Sequence, residues 1–560
     1  MKKMLYLLTV VMAIFFWGSS TAPGQGGSGE KAAALQGVVS SQAEGLMEGV
    51  LVKAKRTGGN ITVTVFSNDK GRYFFPASKL APGQYSLSVR AAGYDLETPR
   101  QVEVAPNKTA NADLKLAPAR EVASQLSNAE WLMSFPAGEQ KAEVECVGCH
   151  TLETVARSRH KGDEWYAVLT RMRGYAAGSS LQRPQKNPFE TPPSPKNPEL
   201  VQYLSSINLS SGQWNYDLKT FPRPKGRDTQ VIITEFDLPT PLAQPHDVLV
   251  DQEGLVWYSD FGRPVLGKLN PRTGAVTEYP LPILKPGFPE GANPTELDEN
   301  GNIFVGRLKQ AALARFDRKT ETVQQWSIPE KYNTERAHLG MISPVRNGVL
   351  WFSDNPNRRM HRIDTKTGKI ESYPAYPEEK EVVYGEAGYM FGPEHSHSIY
   401  GLSADSKGNG YILDINGGTI GKIEPGTGKV TLYPTPTEDS GPRRGMMDSQ
   451  DRLWFAEFHG NKVAMFDTKS GKFQEWPAPG PYARPYDARM DKNGEVWSGG
   501  MHTDYVYRFN PRSGEWTRYL LPTPKANLRR MAGVDSSTSP VTVYVGMNHQ
   551  AKIAKIEPLN

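Results

Sequence analysis

The chain has 560 residues, 38% of them hydrophobic and 22% charged, with a formal net charge of +5. Near-neutrality over this length leaves no electrostatic footprint for a nucleic-acid partner. One closely spaced pair of cysteines, the only two in the sequence, excludes a disulfide scaffold.

Lys2 and Lys3 precede the apolar run "MLYLLTVVMAIFFW" (4–17), and small residues follow in "GSSTA". This is the layout of a secretory signal peptide over residues 1–22, and the run is too short for a transmembrane helix. The mature chain is therefore expected to be periplasmic or otherwise exported, with no transmembrane span and a charge reduced from +5 to +3. Residues 35–117 read as a separate β-sandwich. Turn signals such as "NDKG" and "APGQ" divide short alternating strands such as "YSLSV". The motifs G-V-V, D-x-G-x-Y-x-F and P-G-x-Y-x-L-x-V-x-A-x-G-Y resemble the carboxypeptidase regulatory-like family. That resemblance implies a transthyretin-like sandwich used for adhesion, sugar contact or spacing, and no peptidase.

Residues 122–212 read as a small α-helical cytochrome c domain. In "VECVGCHTL" (144–152), Cys146 and Cys149 are followed directly by His150. A zinc site would need two further ligands, and the other nearby histidine is His160. In an exported chain, C-x-x-C-H specifies covalent haem c, with both sulfurs on the porphyrin and His150 as proximal iron ligand. Trp165 and Met172 share a helical face, and "NPELVQYLSSIN" (197–208) resembles the closing helix of small c-type cytochromes. Between them the proline-rich stretch 181–198 reads as an extended loop. Met172 is the first candidate for the sixth iron ligand, with His160 as rival and plain core packing as the bland alternative. A methionine ligand favours the higher potential.

Residues 228–560 are repetitive. Trp257, Phe304, Trp351, Tyr411, Trp454, Trp497 and Tyr544 recur at spacings of 47, 47, 60, 43, 43 and 47 residues, each after a turn such as "DQEG" or "DKNG" and before a strand ending in T/S-G. Four short strands repeated seven times predict a seven-bladed β-propeller. The last repeat stops at "KIAKIEPLN" without its fourth strand, and "VIITEFDLP" (231–239) is such a strand without a repeat, so the second should complete the first and close the ring. The constant phase of the Asp-rich segments marks them as hairpin turns, not calcium loops.

His246, His338, His395, His397, His459, His502 and His549 all fall at strand ends opposite the hairpin turns, and so share one face. Asp260, Asp354, Asp414 and Glu457 follow their aromatics by three residues, while Arg443, Arg444, Arg484, Arg529 and Arg530 enter from loops on that face. Such a convergence could hold a metal or anion, supply an acid–base pair, or simply cap loops. The repeat resembles the virginiamycin B (streptogramin) lyase family across residues 231–560, which implies a seven-bladed ring and magnesium-assisted opening of a cyclic depsipeptide. In "WFAEFHGNKV" the resemblance makes His459 the base and Glu457 a Mg2+ ligand, with His502 and His549 as further catalytic candidates. One departure stands out. Where the family offers a second acid and a histidine, "ARPYDAR" places Arg484 and Tyr486, and an arginine there would repel a cation.

The expectation is thus an exported c-type cytochrome that transfers electrons, its propeller docking a redox partner protein or handling a small-molecule substrate. The alternatives are a metal-assisted lyase or haem-linked oxidoreductase on the histidine-rich face, and a glycan- or peptide-recognition protein. No Gly-rich phosphate loop or G-x-S-x-G elbow occurs.

Overall fold

The computed structural model describes residues 33–138, 141, 146–377 and 397–560; the signal segment 1–22 and His395 lie outside them. Strands dominate. Near the N-terminus, Ala33–Ser41, Arg72–Pro76 and Leu114–Pro118 lie in one sheet, and Leu51–Arg56, Ile61–Phe66, Gly83–Arg90 and Arg100–Val104 in another. The alternation read from "YSLSV" is real: Tyr85 and Leu87 point inward between exposed neighbours. They meet Leu35, Val39, Val52 and Phe75 in a core shared by both sheets.

This sandwich is not the separate module that its sequence suggests. Ile61–Phe66 pairs antiparallel with Val231–Asp237, with Thr64 opposite Ile233 and Ile61 opposite Phe236. Each strand would otherwise present an open edge, and mutual pairing satisfies both rows of backbone groups. Lys55 adds a 2.6 Å ion pair to Asp237.

Beyond residue 245 the chain forms six four-stranded antiparallel sheets. A further row runs Gly533–Asp535, Thr542–Met547, Lys552–Pro558 and then Val231–Asp237. The expected closure therefore occurs, in unbroken register from Val231 opposite Pro558 to Asp237 opposite Lys552. The repeat has a physical cause in a recurring clamp. The indole Nε1 of Trp257, Trp454 and Trp497 donates to Asp251 (2.7 Å), Asp448 (3.1 Å) and Asp491 (2.9 Å) of the preceding turn. The other oxygen of each aspartate accepts turn backbone N–H groups, as in Glu253 and Leu255 onto Asp251. The carboxylates serve mainly their own hairpins, and Asp251 also takes an ion pair from Arg318 of the next repeat.

Residues 122–212 carry four short helices: α1 (Asn128–Ser134), α2 (Leu152–Ala156), α3 (Asp163–Arg173) and α4 (Pro198–Ile207). A capping box of Ser127 and Glu130 starts α1, and Asn197 caps α4 with Pro198 in its first turn. The stretch 181–197 is free of helix. Trp131, Val147, Trp165 and Leu204 pack into one apolar cluster with Phe458, Tyr486 and Met501 of the ring. The helical segment thus shares its apolar core with the ring. Among the described residues no helix is long and apolar enough to cross a membrane.

Candidate functional site

The helical segment covers the ring end where the sequence gathers histidines and arginines. Its C-x-x-C-H turn is held from below by two side chains. Arg529 Nη2 donates to the carbonyl of Gly148 (2.8 Å) and Asn527 Nδ2 to that of Val147 (2.9 Å). Lys525 forms an ion pair with Glu153 of α2, and the N–H of Ala129 at the start of α1 donates to the carbonyl of His502 (2.8 Å). Cys146 and Cys149 are each half-buried. Burial pushes the Cys149 thiol up, against the opposing pull of Arg529. His150 Nδ1 lies 3.0 Å from the carbonyl of Thr151, a bond that orients the ring without engaging Nε2. Met172 sits half-buried on α3. His160 stacks edge-on against Trp165 at 5.4 Å, with Glu164 4.0 Å from its Nδ1.

Below the turn a hydrogen-bonded chain descends the ring axis. Arg443 donates to Tyr400 OH (2.9 Å), Tyr400 and Tyr486 share a hydroxyl contact of 2.6 Å, Tyr486 OH lies 3.1 Å from His246 Nε2, and His246 Nδ1 lies 2.7 Å from Asp247. Asp247 also receives Arg444 (3.2 Å) and Arg530 (2.9 Å), and Arg530 pairs with Glu296. Burial alone would raise Asp247, yet Arg444 and Arg530 hold it well below the usual carboxylate range. Burial lowers His246 to about 3, outweighing its bond to Asp247, so the imidazole is neutral. The guanidinium of Arg443 lies 3.9 Å from the Phe458 ring and 4.1 Å from the Tyr486 ring, a desolvated cation–π stack.

Sequence reasoning picked out His246 and the arginines but missed Asp247, Glu296 and Tyr400. A signal existed: Pro-x-Asp/Glu recurs at strand starts in "PHD" (245–247), "PTE" (294–296) and "PYD" (485–487). Asp260 and Asp414 act as loop caps, accepting the backbone N–H groups of Gly262 and Gly417.

The predicted catalytic histidines differ in exposure. His502 has both ring nitrogens buried without a hydrogen-bond partner, and the buried His549 lies against the Gly148 backbone of the C-x-x-C-H turn. Burial holds His549 near 3, helped by Arg529, and holds His502 low, helped by Arg484 and Arg443. His459, partly exposed, packs on the Phe458 ring that His502 also meets, with its Nδ1 3.3 Å from Asp439. Glu457, expected as a Mg2+ ligand, is fully buried beside Glu475 and Ser440. Burial and the nearby Glu475 push its acid up to about 8, so it is protonated at neutral pH. Arg484 donates to the carbonyls of Phe458 (3.1 Å) and His459 (2.8 Å), fixing a cation beside the pair. A protonated acid next to a guanidinium does not fit Mg2+, and no group of three or more His, Cys, Asp or Glu side chains with metal-binding geometry occurs among the described residues.

Comparison with known proteins gives two family matches: the carboxypeptidase regulatory-like domain over residues 34–117 and the virginiamycin B lyase family over residues 390–559. Among solved structures, the selenomethionine virginiamycin B lyase from Staphylococcus aureus is 22% identical, covering 58% of this chain and 98% of that one, with a TM-score of 0.47. A catalytically inactive variant of the Staphylococcus aureus enzyme with quinupristin gives 23%, 58%, 98% and 0.48. A streptogramin B lyase structure gives 21%, 60%, 99% and 0.48. No curated protein matches the chain. The chain accordingly joins a carboxypeptidase regulatory-like domain to a virginiamycin B lyase-like propeller region.

Proposed function

We propose that this is an exported c-type haem protein that passes single electrons, its seven-bladed ring forming the seat of the haem-bearing turn and the docking body for a redox partner protein or small-molecule substrate. The observation that carries the reading is the clasp on C-x-x-C-H: the ring's Arg529 and Asn527 grip the carbonyls of Gly148 and Val147 between the two cysteines. The local chemistry fits the group. Two half-buried cysteines stand three residues apart, His150 is oriented through Nδ1, and Val168, Leu169 and Met172 leave an apolar side of α3 half-covered. Cys146 and Cys149 would hold the porphyrin, His150 the iron, and Met172, or His160 in its place, the sixth position. Bound there, haem supplies reversible one-electron oxidation and reduction of iron.

The family match favours a second reading, a lyase on the same ring. The protonated state of Glu457 and the position of Arg484 argue against its metal-assisted form.

The deciding experiment is a reduced-minus-oxidised spectrum and an intact mass from a host competent in cytochrome c maturation. The expected outcome is a sharp c-type band, a mass raised by one haem, and loss of both in Cys149→Ala. Colourless protein with the bare polypeptide mass overturns the reading.

A further inference from the structure

We infer that the guanidinium of Arg529, with the imidazoles of His502 and His549 nearby, receives a carboxylate at the seam between the C-x-x-C-H turn and the ring axis. Neighbouring arginines show what is missing. Arg444 meets Asp247, and Arg530 meets both Asp247 and Glu296. Arg529 precedes Arg530 directly but reaches upward to the turn, where its bond is to a neutral carbonyl, that of Gly148. It is 5% exposed, its Nε is buried without a partner, and no carboxylate of the described residues pairs with it. A buried cation answered only by a dipole is a costly arrangement that an anion relieves.

The surroundings repeat the same shortage of acceptors. His502 is 1% exposed, and neither of its ring nitrogens finds a partner, while His549 lies against the same Gly148 backbone that Arg529 meets. Both imidazoles are held neutral, by burial first and by arginines that include Arg529. His502 therefore keeps one N–H to donate. Aromatic walls close the place: the Arg529 guanidinium lies 5.7 Å from the Tyr486 ring and 5.8 Å from that of Phe261. A planar fork with one unanswered charge, flanked by an N–H donor and apolar rings, suits a monoanionic carboxylate on an apolar body. Two sources share that chemistry: a propionate of haem attached to the turn, which rests on the function proposed above, and the carboxylate of a free substrate.

The test uses the full chain, made with and without haem attachment, and sodium propionate as the probe. In the haem-free chain, propionate should raise the melting temperature beyond matched sodium chloride, with the rise lost in Arg529→Gln and partly kept in Arg529→Lys. If the rise disappears in the haem-loaded chain, the haem's own carboxylate occupies the place; if it persists, the ligand is a free carboxylate. In the loaded chain, Arg529→Gln should also alter the pH dependence of the midpoint potential when the haem carboxylate is the ligand. The inference is overturned if propionate does no more than chloride in the haem-free chain and Arg529→Gln leaves that pH dependence unchanged. Should no haem attach at all, the propionate arm still decides the matter by itself.

Discussion

The phenol oxygens of Tyr400 and Tyr486 lie 2.6 Å apart at the ring axis, joining side chains 86 positions distant in sequence. Tyr486 also reaches His246, so its single hydroxyl serves two buried partners. Tyr486→Phe should therefore remove one bond from each, at a cost of about 1–3 kcal/mol. Urea unfolding of Tyr400→Phe, Tyr486→Phe and the double variant measures this; strict additivity of the two single losses would count against a shared bond.

Glu457 predicts a pH dependence of stability. Its folded acid is pushed from the usual 4.5 up to about 8 by burial and Glu475, so the native state keeps a proton that the unfolded chain releases. The stability from this group is fully present below about pH 4.5 and is lost as pH rises through about 8, with a slope of at most about 1.4 kcal/mol per pH unit. Glu457→Gln should flatten that slope between pH 5 and 8 in thermal melts. An unchanged slope would sink the protonated assignment.

The sheet shared by sandwich and ring makes a mechanical prediction. Thr64 is fully buried and stands opposite Ile233 in the middle of an eight-stranded sheet. Thr64→Pro removes a backbone donor there and should cost about 3 kcal/mol or more. Calorimetry is expected to show the single unfolding transition of the parent divide in two, and limited proteolysis to release residues 33–117. A single, merely lowered transition would mean that the two parts remain coupled by other contacts.

Sixth-ligand choice is open to direct measurement in the haem-loaded chain. If Met172 holds the iron, Met172→Ala should lower the midpoint potential and His160→Ala should leave it in place. The opposite pair of results transfers the role to His160.

How much of this was legible in sequence follows from which forces are local. The repeat could be read because each aspartate clamps its own tryptophan six residues on, as Asp251 does Trp257; such short-range bonds impose a period. Closure by Val231–Asp237 was legible for the same reason, being a strand pattern out of phase with its neighbours. The pairing of that strand with Ile61–Phe66 was not, because Thr62 and Thr64 carry the polar alternation of a solvent face and only the assembled edge buries them. At the axis, the arginines announced themselves by number. Asp247 did not, since a single acid shows its role only when Arg444 and Arg530 arrive from other repeats. Glu457 matched a metal-ligand motif, and only its burial reveals a neutral acid.

The strand Val231–Asp237 lies between Lys552–Pro558 on one side and Ile61–Phe66 on the other. A ribosome delivers those three in the order 61, 231, 552, so the middle strand can dock on the first long before its second neighbour exists. Until then it offers a bare row of amides to any passing chain. The early sandwich is thus a holding template: it shields one flank of the unfinished wheel and leaves the other waiting for the final repeat.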